Sequence, residues 1–180
     1  MKCFIACPLR PVAALSIALA AGLCACTPAL NWRETHPPDS VVSALFPCKP
    51  DHHVRRVTLA GAELAMQLSS CSAADSVYAL SHIDVSQADR VTPVLQALRE
   101  AAAQNIGEPT SVKGPQPVPG MTPHPLAQRL GWRGTRADGS IIAAQATFFT
   151  QGTQVYQATV VGARLDEDAV DTFFAALKLP

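Results

Sequence analysis

Three strand-like runs in the last third of the chain constrain the fold more than any other feature. They cover about residues 127–135, 140–150 and 154–162, and the dipeptides Asp138-Gly139 and Gln151-Gly152 separate them. Such dipeptides favour tight hairpin turns, which join antiparallel neighbours. We therefore expect a three-stranded meander. Its core-facing residues are predicted to be Leu130 and Trp132 on the first strand, Ile142, Ala144, Ala146 and Phe148 on the second, and Tyr156, Ala158 and Val160 on the third.

A second group of three strands is expected earlier in the chain. Apolar residues alternate on both sides of Gly61, which predicts a hairpin. A turn at 72–75 then leads to a third strand from about Ser76 to Asp84. The alternating residues of the hairpin are Val57 and Leu59 before the glycine and Leu64, Met66 and Leu68 after it.

Two amphipathic helices are expected, one after each group of strands. Apolar residues between 91 and 102 recur at helical spacing, and Gly107 and Pro109 end that helix. The second helix begins after Asp166, which is expected to act as its N-cap. The apolar face of this helix is predicted to be Val170, Phe173, Phe174 and Leu177.

The start of the first helix has two alternatives. Ser86 with Asp89 three residues later resembles a capping box and would start the helix there. If Thr92 is instead the cap, Pro93 takes the first helical position, which suits a residue without an N–H.

Residues 108–126 separate this helix from the meander. They hold six prolines and two glycines. Because proline cannot donate to a strand ladder, we expect an extended surface excursion, with a short edge strand at about 110–113.

The order βββ-α-βββ-α predicts one α+β domain over residues 46–180, an antiparallel sheet of about six strands packed with two helices. This order, together with Phe46-Pro47, Gly152-Thr153-Gln154-Val155-Tyr156 and Phe173-Phe174-Ala175-Ala176-Leu177, resembles the PsbP-like α/β/α sandwich domains of small exported lipoproteins. The chain also resembles small proteobacterial lipoproteins of unknown function. The shared motifs are packing motifs, so the resemblance implies a fold and transfers no catalytic residue.

The first 25 residues differ from the rest of the chain. Lys2 and Arg10 are their only charges, and residues 11–23 are almost entirely apolar. This stretch is shorter than the roughly 20 apolar residues of a membrane span and is typical of a signal peptide. Leu23-Cys24-Ala25-Cys26 resembles the bacterial lipobox, which implies a lipoprotein signal peptide at 1–25 and lipidation of Cys26. An ordinary signal peptide and an uncleaved transmembrane anchor are the alternatives.

Lipidation of Cys26 implies a protein of the cell envelope that faces the periplasm and has the membrane as a partner. Thr27, rather than an aspartate, follows the cysteine, which implies the outer membrane rather than the inner one. Residues 26–45 contain several prolines and little periodicity, so we expect a lipidated tether there. Within it, Trp32 either packs on the domain or lies at the lipid interface.

The cysteines predict one disulfide. Of six in the chain, three fall in the expected signal peptide and Cys26 carries the lipid. Cys48 and Cys71 remain, in a compartment that is oxidising. Their pairing would close a loop worth on the order of 3 kcal/mol. Two independent buried thiols are the alternative.

The sequence gives no support to nucleic-acid binding, a cofactor or a metal. Fourteen Lys and Arg balance fourteen Asp and Glu, and the chain lacks a polybasic run. His52 and His53 are neighbours on a strand, so their rings point to opposite sides and cannot chelate one ion.

Nor does it predict a catalytic residue. Ser81, His82 and Asp84 are the residue types of a catalytic triad, but strand alternation places Ser81 on one face and the other two on the opposite face. We interpret this segment as a solvent-facing strand. The acids Asp166, Glu167, Asp168 and Asp171 are interpreted as complementing a helix dipole rather than forming a calcium loop.

The function expected from these features is that of a lipid-anchored, non-enzymatic accessory or binding module of the cell envelope. A sheet face or the proline-rich excursion would contact an envelope protein partner. A carrier of a small hydrophobic ligand is the alternative, and it requires an apolar cavity between the sheet and the helices.

Overall fold

The computed structural model describes residues 29–136 and 138–180. The signal peptide predicted at 1–25 and the lipidation site Cys26 lie outside the described residues. In chain order the elements are β1 (Arg33–Thr35), β2 (Ala44–Phe46), β3 (Asp51–Leu59), β4 (Ala62–Ala73), β5 (Ser76–Asp84), α1 (Val91–Ile106), β6 (Ser111–Pro115), β7 (Gln128–Thr135), β8 (Ile141–Gln151), β9 (Gln154–Gly162) and α2 (Glu167–Ala175).

The main sheet has seven strands in the order β3-β4-β5-β9-β8-β7-β6, and neighbouring strands are antiparallel. This confirms the α+β class, the antiparallel sheet and the two helices. The expected count of about six strands is corrected to seven, because β6 pairs along β7 and forms one edge of the sheet. A separate two-stranded sheet pairs β1 with β2.

Local turn chemistry fixes the hairpins of the first group. Ala60 and Gly61 between β3 and β4, and Ala74 and Asp75 between β4 and β5, all have positive φ, the combination that a two-residue type I′ turn requires. The meander of β7, β8 and β9 is also confirmed. Its first loop is longer than a two-residue turn, since β7 ends at Thr135 and β8 begins at Ile141.

The two groups of strands join through β5 and β9, which are far apart in sequence. Their register pairs Tyr78 with Val160 and His82 with Tyr156. This pairing places β5 in the interior of the sheet. Its backbone is therefore bonded on both sides, to β4 and to β9.

Helices lie on opposite faces of the sheet, so the domain has two cores. The predicted core-facing residues of the meander are all buried. Most of those on β7 and β8 belong to the core beside α1, whereas those on β9 belong to the core beside α2. The register explains the difference, because Ala146 and Phe148 pair with Thr159 and Gln157 rather than with the predicted residues of β9. The α1 core includes Leu59, Ile83, Leu95, Leu98, Leu130, Trp132, Phe148 and Val155. The α2 core includes Phe46, Tyr78, Leu80, Phe149, Tyr156, Phe173, Phe174 and Leu177.

Neither predicted start of α1 is the observed one. A short 3-10 turn at Ala88–Arg90 leads directly into the helix at Val91. Pro93 then falls within the first helical turn, where its missing N–H costs no helical hydrogen bond. Gly107, with φ of 109°, ends the helix as expected.

The segment before β3 differs from the expected tether, because it packs on the domain. β1 pairs with β2, and the N–H of Asn31 donates to the carbonyl oxygen of Pro47 at 2.7 Å. Trp32 packs edge-on against Tyr78, with ring centroids 6.2 Å apart. Of its two expected positions, Trp32 takes the one on the domain.

A disulfide joins Cys48, which follows β2, to Cys71 in β4, with 6.0 Å between the Cα atoms. The predicted pairing is therefore present. It fastens the N-terminal segment to the main sheet beside the α2 core.

The acids at the start of α2 have specific partners. The carboxylate of Asp166 accepts from the N–H groups of Asp168 and Ala169, which confirms the predicted N-cap. Asp171 forms an ion pair with Arg129 at 2.7 Å, and the Arg129 guanidinium lies over the Phe174 ring. Among the described residues no helix has the length and apolar character needed to cross a membrane.

Candidate binding pocket beside His82

One part of the sheet, on the α2 side, is covered by a loop rather than by a helix. The loop between β1 and β2 crosses the ends of β4, β5 and β9 there and leaves a pocket of about 210 Å³. Strand register explains its lining, because Gln67 pairs with His82 and Asp84 pairs with Gln154. The residues around it are Asp39, Ala65, Gln67, His82, Asp84 and Gln154.

His82 is the most buried polar group in this lining, at 3% exposure. Its Nε2 lies 3.0 Å from the backbone carbonyl oxygen of Asp39. A carbonyl oxygen only accepts, so Nε2 carries the hydrogen and the neutral ring presents Nδ1 as an acceptor. Nδ1 has no hydrogen-bond partner among the described residues. The ring stacks on Tyr156 with 5.8 Å between centroids.

Burial favours the neutral form of the imidazole. It lowers the pKa of His82, and this effect outweighs the hydrogen bond to Asp39 and the charges of Asp39 and Asp84, which act in the opposite direction. Burial likewise raises the pKa of Tyr156. The His82 ring that lines the pocket is therefore backed by the buried Tyr156 ring.

Gln154 supplies a second acceptor. Its Oε1 is buried and has no partner in the part of the chain that the structure describes. Buried polar atoms are almost always hydrogen-bonded, and leaving one unpaired costs about 1–3 kcal/mol. Of the five buried side-chain atoms without a partner in the described residues, two belong to residues of this pocket.

Two carboxylates complete the lining. The Asp39 carboxylate accepts from the Gln67 side chain at 3.3 Å, and the Asp84 carboxylate accepts from the N–H of Ser86 at 2.8 Å. Neither forms an ion pair with a described residue, and no Lys or Arg lines the pocket. The site is therefore anionic and rich in acceptors.

The structure separates the residues of the apparent triad. The Ser81 hydroxyl donates to the Gln157 carbonyl oxygen and lies on the opposite face of β5 from His82, as strand alternation predicts. The interpretation of this segment as solvent-facing was wrong, because pairing with β9 places β5 inside the sheet and buries both Ser81 and His82.

His52 and His53 also point apart. The His52 ring pairs with the Ser69 hydroxyl at 2.8 Å, and both histidines are on the exposed edge strand β3. Within residues 29–136 and 138–180, no three His, Cys, Asp or Glu side chains cluster as metal ligands.

The proline-rich excursion is held against the domain at several points. The expected edge strand forms one residue later than predicted, as β6. Val118 is buried at 2% exposure, and Arg99 of α1 donates to the Leu126 carbonyl oxygen at 2.8 Å. His124 pairs with the Thr92 hydroxyl at 2.9 Å. These contacts therefore set which surface the excursion presents.

Comparison with protein-family models, curated proteins and solved structures gives no match for this chain. Sequence reasoning placed His82 and Asp84 on one face but missed Asp39 and Gln154. No local signal could have found these two, because the loop and β9 reach β5 only through long-range contacts.

Proposed function

We propose that this chain is a lipoprotein of the cell envelope, anchored by a lipid on Cys26, whose domain acts as a non-enzymatic binding module on the periplasmic side of the outer membrane. The lipobox-like residues 23–26 support the anchor. The disulfide between Cys48 and Cys71 suits an oxidising compartment. The observation that carries the binding role is the pair of buried acceptors beside the pocket, on His82 and Gln154, that have no partner among the described residues.

Binding fits the pocket better than catalysis does. Among the described residues its lining contains no hydroxyl, thiol or amine nucleophile, and the nearest serine on the strand, Ser81, lies on the other face of the sheet. The imidazole of His82 already donates a hydrogen bond through Nε2 to the backbone carbonyl oxygen of Asp39. Such a group is held in place to accept a hydrogen bond through Nδ1.

The alternative of a hydrophobic-ligand carrier finds less support. A carrier needs an apolar chamber between the sheet and a helix. On the α2 side that space is filled by Phe46, Phe149, Phe173 and Phe174, each at most 1% exposed. On the α1 side Leu95, Leu98 and Phe148 fill it.

For the fold, we propose a PsbP-like arrangement. The support is that α1 and α2 pack on opposite faces of an antiparallel sheet, as in an α/β/α sandwich. Strand order in an experimental structure, compared with that of PsbP-like domains, tests this assignment.

The anchor is tested by intact mass spectrometry of protein extracted from membranes. A chain that starts at Cys26 and carries the mass of three acyl groups is expected. Cys26→Ala should abolish this mass, whereas Cys24→Ala, the matched control, should keep it. An unmodified or uncleaved chain would overturn the lipid anchor.

The binding role is tested by native mass spectrometry of the same protein after incubation with a small-molecule extract of the cell envelope. The wild-type protein should retain an adduct that His82→Phe does not retain. The variant keeps an aromatic ring over Tyr156 but loses both ring nitrogens. If no adduct distinguishes the two proteins at equal folded fraction, the pocket is not a binding site.

A further inference from the structure

The charge and the hydrogen-bonding capacity of the pocket beside His82 together specify its ligand. Nδ1 of His82 and Oε1 of Gln154 are acceptors without described partners. An acceptor pairs only with a donor, so a ligand group that fits here carries N–H or O–H. A carboxylate or phosphate would bring further acceptors against these two atoms.

The carboxylates of Asp39 and Asp84 decide between a neutral and a charged donor. Both belong to the lining, and no lining residue carries a positive charge. Both also act on His82 through their charges. A cation in this position gains from two opposite charges, and hydrogen bonds that involve a charged group are roughly twice as strong as neutral ones.

The size of the pocket limits the ligand to a small group. Sites for drug-sized molecules have volumes of about 300–1,000 Å³, and this one measures about 210 Å³. An ammonium group offers three donors that rotate freely on a narrow stem. The lining acceptors lie on β5, on β9 and on the loop between β1 and β2, and donors that rotate freely suit a set that comes from different directions.

We propose that the pocket beside His82 binds a primary ammonium group, with Nδ1 of His82 and Oε1 of Gln154 as hydrogen-bond acceptors and the carboxylates of Asp39 and Asp84 as counter-charges. The inference deepens the proposed binding role and rests on it. The ammonium can belong to a free small amine or to a lysine side chain of a peptide.

Thermal unfolding of the mature, detergent-extracted protein in the presence of small probes tests this assignment. A ligand that binds only the folded state raises the unfolding midpoint with its concentration, and the midpoint series gives an apparent Kd. The probes are n-propylamine, 1-propanol, propionate and tetramethylammonium. They share similar size but differ in charge and in the presence of N–H donors.

We expect n-propylamine to bind at least about tenfold tighter than 1-propanol, a factor that corresponds to one charge-assisted hydrogen bond. Tetramethylammonium and propionate should bind no better than the alcohol. Equal binding of n-propylamine and tetramethylammonium would reduce the effect to non-specific charge attraction and overturn the proposal. Tighter binding of propionate would overturn it as well.

Four variants locate the binding. Asp39→Asn and Asp84→Asn remove charge but keep the oxygen that accepts from Gln67 or Ser86, and asparagine tolerates the positive φ of residue 39. Both carboxylates are solvent-exposed, so each substitution should weaken n-propylamine about two- to fivefold. Gln154→Leu should weaken it about tenfold through loss of a hydrogen bond to a charged group, without disturbing the contact between His82 and Asp39. Asp89→Asn, outside the pocket, should leave the affinity unchanged.

A lysine derivative separates the two sources. If Nα-acetyl-lysine amide binds as tightly as n-propylamine, and its Nε-acetylated form does not, the pocket accepts a peptide lysine. If only n-propylamine binds, the ligand is a free amine.

If native mass spectrometry shows an anionic or neutral adduct in the pocket, the ammonium proposal fails while the binding role stands. If a crystal grown with n-propylamine shows only water there, the ammonium proposal also fails.

Discussion

Reduction of the disulfide between Cys48 and Cys71 should destabilise the domain by an amount that depends on the length of the loop that the disulfide closes. The two cysteines are 23 residues apart. For a closed loop of that length, the chain-entropy model assigns a stabilisation of about 3 kcal/mol, through restriction of the unfolded chain. For a domain of this size, we expect the unfolding midpoint to fall by roughly 6 to 12 °C.

The measurement compares urea unfolding of oxidised wild-type protein with that of the same protein in a phosphine reductant. This comparison keeps both sulfur atoms, so lost packing around Cys71 does not enter. Cys48→Ala/Cys71→Ala should match the reduced protein to within about 1 kcal/mol and should not respond to reductant. If full reduction, verified by counting thiols, changes the free energy of unfolding by less than about 1 kcal/mol, the entropic argument fails for this loop.

Three further predictions concern His82, the α2 core and the α2 cap. Burial lowers the pKa of His82 in the folded protein below its ordinary value of 6.5, so the unfolded chain binds a proton at this imidazole more readily. The free energy of unfolding should therefore fall as the pH decreases from 6.5 towards the lower pKa of the folded state. His82→Gln should lose that part of the pH dependence; equal slopes in the two proteins would contradict the assignment. Phe173→Ala should lower the free energy of unfolding in urea by roughly 3–5 kcal/mol, because the ring is fully buried. The control Val77→Ala, at a residue with 44% exposure, should change it by no more than about 0.5 kcal/mol. Similar losses in the two variants would argue against the described core. Asp166→Ala should lower the free energy of unfolding by about 1 kcal/mol through loss of the N-cap. Asp168→Ala should lower it by less, because Asp168 contributes only its backbone N–H to the cap. A larger loss for Asp168→Ala would refute the cap.

Features set by neighbouring residues could be predicted from the sequence. The turn at Gly61, the bounds of β5, the end of α1 at Gly107 and the cap at Asp166 all follow local rules for positive φ, alternation and capping. The Cys48 to Cys71 disulfide followed from the small number of cysteines left once the N-terminal ones had been assigned.

Features set by residues that are distant in the sequence could not be predicted. Nothing in β5 or β9 alone specifies that they pair, yet this pairing buries His82 and forms the floor of the pocket. Prolines made the segment around Asp39 look like a tether, although its flanks form β1 and β2. The candidate site was missed because each of its residues has an ordinary local context and acquires its role only through long-range contacts.

The docking of the N-terminal segment sets how far the domain can stand from a membrane. Leu30 and Trp32 already pack against the α2 core. Cys26 precedes Leu30 by four residues, and four trans peptide units span at most about 15 Å. A lipid on Cys26, as proposed, would therefore confine the domain to a thin layer at the bilayer surface. Lateral diffusion in two dimensions, rather than exploration of the periplasmic volume, would then decide which molecules it meets.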